Sequence, residues 1–87
     1  MHAVLVNVTR HDVEKSEESV RTEVAPRVSK APGFVAGYWL GAGEKGTSVT
    51  VFESEENAKA AADMVRSMAP DTVTIESVEV RKVVASA

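Results

Sequence analysis

Eighty-seven residues make a single domain, 1–87, able to bury only about 60–65% of its unfolded surface, so a partner copy would help to stabilise it. The net charge of −3, with Lys and Arg scattered, excludes the basic stripe that nucleic-acid binding needs. The absence of cysteine excludes disulfides, thiolate metal sites and thiol catalysis. No apolar run approaches the ~18–20 residues of a membrane span. The N-terminus shows neither the basic n-region nor the cleavage site of a signal peptide. A soluble, cytoplasmic protein is expected.

Ala3-Val4-Leu5-Val6-Asn7-Val8-Thr9 is rich in β-branched residues and reads as the first strand. Arg10-His11-Asp12 is a polar turn, after which Asp12 or Ser16 can cap a helix. Val20, Val24 and Val28 draw a narrow apolar stripe along that helix. Pro26 lies within the stripe and should kink the helix or tighten its last turn. Pro32-Gly33 stops it, and Phe34-Val35-Ala36-Gly37-Tyr38-Trp39-Leu40 reads as strand two. Neighbours on a strand point to opposite sides, so Tyr38 and Trp39 enter different layers.

Gly41 to Gly46 is a hairpin loop leading into strand three, Thr47 to Glu53. Its three glycines do not make a phosphate loop, because neither Lys-Ser/Thr nor a helix N-terminus follows. Ser54 caps a second helix whose Ala58, Ala61, Ala62, Val65 and Met68 follow helical spacing, and Pro70 ends it. Thr72 to Val84 supplies strand four, with a phase change between Ile75 and Val78 that predicts a bulge. The order is β-α-β-β-α-β. It predicts an α+β, ferredoxin-like fold with both helices on one face of a four-stranded antiparallel sheet.

The strand faces carry a further demand. Val4, Val6 and Val8 share one face of strand one, with Leu5, Asn7 and Thr9 on the other. Val49 and Val51 likewise oppose Ser48, Thr50 and Phe52 on strand three. Helices cover only one side, so the other would expose several hundred Å² of apolar surface. A homodimer packed sheet to sheet removes that exposure. The aliphatic face is assigned to the dimer seam, where each buried Val contributes roughly 1.5–2 kcal/mol by area. The mixed face then lies under the helices, and Asn7, Thr50 and Phe52 would line a pocket beneath the Ala-rich second helix. Either Tyr38 or Trp39 would join them.

The layout, the Pro-Gly-Phe turn into strand two, and the Val51-Phe52-Glu53-Ser54 junction together resemble the dimeric α/β-barrel superfamily. Within it the chain looks most like the antibiotic-biosynthesis monooxygenase-like domains. The resemblance implies homodimers with a cavity between sheet and helices, in a group that includes cofactor-free oxygenases of phenolic or quinol substrates and haem-degrading enzymes. Asn7 matches the strand-one Asn of the haem-degrading and some cofactor-free members. Phe52 stands where the haem-degrading type has a Trp, and helix two has no His for iron. Those two departures argue against haem degradation.

Asn7 can hold a substrate oxygen through its amide, or satisfy a polar neighbour. Tyr38 and Trp39 can stack on an aromatic ligand, or serve as core or interface residues. His11, beside Asp12, is a candidate general base or a solvated loop residue. Two isolated histidines make no metal site, and no cofactor is expected. The sequence therefore predicts a homodimeric domain with a pocket for a small apolar or aromatic ligand. The alternative is a cofactor-independent monooxygenase, in which the substrate's own electron-rich ring reacts with oxygen and the protein positions and deprotonates it.

Overall fold

The structure, a computed structural model, describes residues 1–87. Strand β1 runs His2–Arg10, followed by helix α1 (Val13–Ser19), a π-helical segment (Val20–Val24) and helix α2 (Ala25–Val28). Then come β2 (Phe34–Ala42), β3 (Lys45–Phe52), α3 (Glu55–Met68) and β4 (Val73–Lys82). The sheet order is β2-β3-β1-β4, antiparallel throughout. This is the α+β, βαββαβ arrangement that the sequence predicts. No helix is long and apolar enough to cross a membrane.

Local chemistry sets the element ends. The Asp12 side chain accepts from the Lys15 N–H at 3.1 Å, so Asp12 is the cap and Ser16 is buried inside α1. Ser54 caps α3 in the same way through the Asn57 N–H. Gly33 adopts φ +75°, the left-handed turn conformation that a side chain disfavours. The β2–β3 loop is tighter than predicted, because pairing continues through Ala42 and Lys45 and leaves only Gly43 and Glu44 to turn.

Pro26 acts differently from the sequence expectation. It has no N–H to offer the Thr22 carbonyl, and the helix widens just before it instead of tightening. The Ala25 N–H donates to the Val20 carbonyl five residues back, and Val20–Val24 forms a π-helical segment. The phase change in β4 is a bulge: Asn7 pairs with Ser77 and Val8 with Ile75, leaving Glu76 without a partner.

The core lies between the sheet and the helices, and it corrects the face assignment. Val4 sits opposite Thr50, and Val6 opposite Ser48, so the β1 valines share a side with Thr50 and Phe52. Val4, Val6, Thr50 and Phe52 are buried against Val28, Ala58, Ala61 and Ala62. Asn7 pairs with Thr47 and projects to the opposite side, with Leu5, Val49 and Val51. The helices therefore cover the aliphatic face of β1, and the mixed face is left open. The physical reason is the geometry of α3, whose small Ala side chains let it sit close against the β1 valines and exclude water from them. Beside α3 only a groove of about 230 Å³ remains, between Ala62 and the β4 residues Val78 and Val80, and none of Asn7, Thr50 and Phe52 lines it.

Candidate functional site

A wider void than the α3–β4 groove lies on the helix side under the first helical arm. A cleft of about 500 Å³ separates α1 and the π-helical segment from β2 and β3. Val20 and Ala25 form part of its roof, and Trp39, Leu40 and Gly41 part of its wall. The π-helical turn helps to shape this roof, because it supplies Val20 and Arg21 to the cleft.

Arg10 is the polar centre of the cleft. It ends β1 in the same alternation as Val4, Val6 and Val8, so its side chain enters the helix side, where it is only 8% exposed. Its Nη1 donates to Glu17 Oε2 at 3.0 Å, and its Nη2 donates to the Gly43 carbonyl. Its Nε is buried and has no partner. Glu17 also faces Arg21 at 3.5 Å, so one carboxylate serves two guanidinium groups. Gly41 makes the arrangement possible: a Cβ there would lie 2.7 Å from Nη2 and 2.8 Å from Nη1 of Arg10. At Gly46, also lining the cleft, a Cβ would lie 3.0 Å from Val8 Cγ2 and 3.3 Å from Arg10 Cδ.

The predicted site residues divide between the two faces. Trp39 pairs with Ser48 on the helix side and lines the cleft. Thr50 and Phe52 are buried in the core beside it, with Phe52 packed edge-on against Phe34 at 5.9 Å between ring centroids. Tyr38 pairs with Val49, and its ring stands on the open face, 66% exposed, although its strand forms part of the cleft wall. Asn7 is on the open face too. Its Oδ1 accepts from the Thr47 hydroxyl at 2.8 Å, and its Nδ2 donates to Ser77 Oγ at 3.1 Å. A single pocket lined by Asn7, Thr50 and Phe52 is therefore not formed, because the sheet itself separates Asn7 from the other two. His11 is exposed at the end of β1, 2.6 Å from the Thr74 hydroxyl, and does not line the cleft. No group of three His, Asp or Glu side chains is placed to hold a metal ion.

Comparison with known proteins adds the fold and no family. The crystal structure of MupZ from Pseudomonas fluorescens superposes with a TM-score of 0.70 at 14% sequence identity, covering 91% of this chain. The chain spans 65% of that protein's length. No protein-family model matches the sequence, and no curated protein matches it. At such low identity the likeness is one of backbone architecture.

Arg10, Glu17 and Arg21 are absent from the sequence-based site. Arg10 carries a legible signal: a cation in the phase of Val4, Val6 and Val8 must find a partner on the buried side. Glu17 and Arg21 carry none, because their approach to Arg10 depends on how the first arm crosses the sheet.

Proposed function

We propose that the protein is a small homodimeric ligand-binding domain, in which each copy holds a small apolar or aromatic molecule in the cleft beneath its first helical arm. The observation that carries this reading is the cleft itself, which is lined both by the chain's single Trp and by a buried, incompletely partnered Arg. Its volume of about 500 Å³ falls within the ~300–1,000 Å³ typical of small-molecule sites. Val20 and Ala25 supply apolar contact, and Trp39 a face for stacking.

The open sheet face supports pairing of two copies. Leu5, Ala36, Tyr38, Leu40, Val49 and Val51 share it, with Tyr38 66% and Leu40 55% exposed. A contiguous apolar face of this kind commonly marks an interaction surface. An isologous sheet-to-sheet contact would bury these residues, and the Asn7-Thr47-Ser77 hydrogen bonds would keep the polar groups among them satisfied.

The oxygenase alternative requires a base in reach of the ligand. Glu17 is the carboxylate that lines the cleft, and its two oxygens already face Arg10 and Arg21. Binding without turnover is the simpler reading. Sedimentation velocity at micromolar concentration should give twice the chain mass, and naphthalene derivatives should change Trp39 fluorescence saturably without oxygen uptake. A stable monomer would contradict the pairing. Absence of saturable binding would contradict the cleft reading, and oxygen consumption with quinols would favour the enzyme.

A further inference from the structure

We propose that the Arg10 guanidinium is an anion subsite, so that the molecule held in the cleft is an aromatic or apolar carboxylate. This deepens the reading of the cleft as a ligand site and rests on it.

The first argument is charge. The whole chain carries −3, yet the charged residues lining the cleft are Arg10, Arg21 and Glu17, a local sum of +1. One carboxylate cannot neutralise both guanidinium groups, and its contact with Arg21 is the long one, 3.5 Å against 3.0 Å to Arg10. A second carboxylate brought by a ligand completes the balance.

The second argument is hydrogen-bond capacity. A guanidinium has five N–H donors in a rigid fork. Two of the Arg10 donors are engaged, one by Glu17 and one by the Gly43 carbonyl, and Nε has no partner although the residue is 92% buried. Buried donors in native proteins are nearly always paired, so an unpaired one on a cleft-lining side chain points to a missing acceptor. Carboxylates match the fork because two oxygens can accept side by side. Glu17 can yield part of its contact, since its side chain is 44% exposed and free to turn toward Arg21.

The third argument is shape. Gly41 and Gly46 leave the β2–β3 hairpin bare where the guanidinium lies, and a Cβ at Gly41 would collide with both terminal nitrogens. Trp39 lines the same cleft, so an anion on Arg10 carries its ring toward an aromatic wall. The polar and apolar ends of an aromatic carboxylate thus both find complementary groups.

Calorimetric titration with naphthoate and with its neutral counterpart naphthalenemethanol separates this inference from the reading beneath it. Naphthoate should bind about tenfold more tightly at low salt, as expected for charge-assisted hydrogen bonds to a carboxylate, and lose that advantage as salt rises. Glu17→Gln should widen the preference by removing the competing carboxylate, and Arg10→Met should abolish it. If Arg10→Met does not fold, the Glu17→Gln and salt arms decide. Equal binding of the two probes, unchanged in Glu17→Gln, would overturn the anion subsite and leave the cleft reading intact. A preference that survives in folded Arg10→Met would also overturn it. Failure of both probes to bind would bring down the cleft reading and the inference together.

Discussion

On the helix side of the sheet Val4, Val6, Thr50 and Phe52 are buried, whereas on the open side their strand neighbours Leu5, Asn7, Val49 and Val51 are only half-buried or less closely covered. The same strands make both faces from alternate residues. The helix side excludes water with valine against alanine, and it reserves one charged group, Arg10, for the cleft beneath the first arm. The open side mixes aliphatic groups with the Asn7-Thr47-Ser77 hydrogen bonds and offers Tyr38 and Leu40 to solvent. Because side chains alternate, substitutions one residue apart in sequence should act on separate properties.

The largest effect is expected on the covered side. Phe52→Ala should cost about 3–5 kcal/mol, read as a lowered urea midpoint, because the ring is wholly buried and its cavity cannot collapse onto small alanines. On the open face, Val49→Asp should leave the fold intact by circular dichroism and convert the sedimenting species from two chains to one, since an unpaired charge in an apolar seam costs several kcal/mol. Unfolding of Val49→Asp, or a dimer that survives it, would break the division of labour between the faces.

Smaller effects sharpen the same contrast. Gly41→Ala should displace the Arg10 guanidinium from Glu17 and Gly43, lowering stability by about 1–2 kcal/mol and weakening probe binding in the cleft. Asn7→Ala should cost about 0.5–1.5 kcal/mol through its bonds to Thr47 and Ser77, with cleft binding unchanged. The smallest effect concerns acid. A hydrogen bond from Lys59, the Lys59 charge and then His2 hold the Glu55 carboxyl below its ordinary value. A lowered pKa means that this contribution is present above the unfolded value and lost as pH falls through the folded one. Glu55→Gln should therefore slightly flatten the fall of Tm below about pH 4.5, without changing Tm curvature near neutrality.

Much of this architecture was legible in the residues. The β-branched runs, the Ser54 cap, Pro32-Gly33 and the phase change at Ile75 to Val78 each rest on local chemistry, and each corresponds to an element or a bulge in the structure. The facing of β1 was not legible, because both of its faces present apolar groups and register is chosen by tertiary pairing. One step of phase moves Asn7 from one layer to the other. Arg10 held the missing information. Its phase with Val4, Val6 and Val8 is explained only if a partner waits on that side, and the partner, Glu17, comes from an arm whose path depends on Pro26 and the π-helical turn.

The most direct test is a residue-resolved NMR titration of the labelled protein with naphthoate. Ligand on the helix side should shift the Trp39 indole N–H, the Arg10 Nε–H and the Gly41 and Gly46 amides, while the Asn7 side-chain amide and the Ser77 amide stay in place. Shifts centred on Asn7 and Ser77, with Trp39 and Arg10 unmoved, would put the binding surface on the open face and contradict the account.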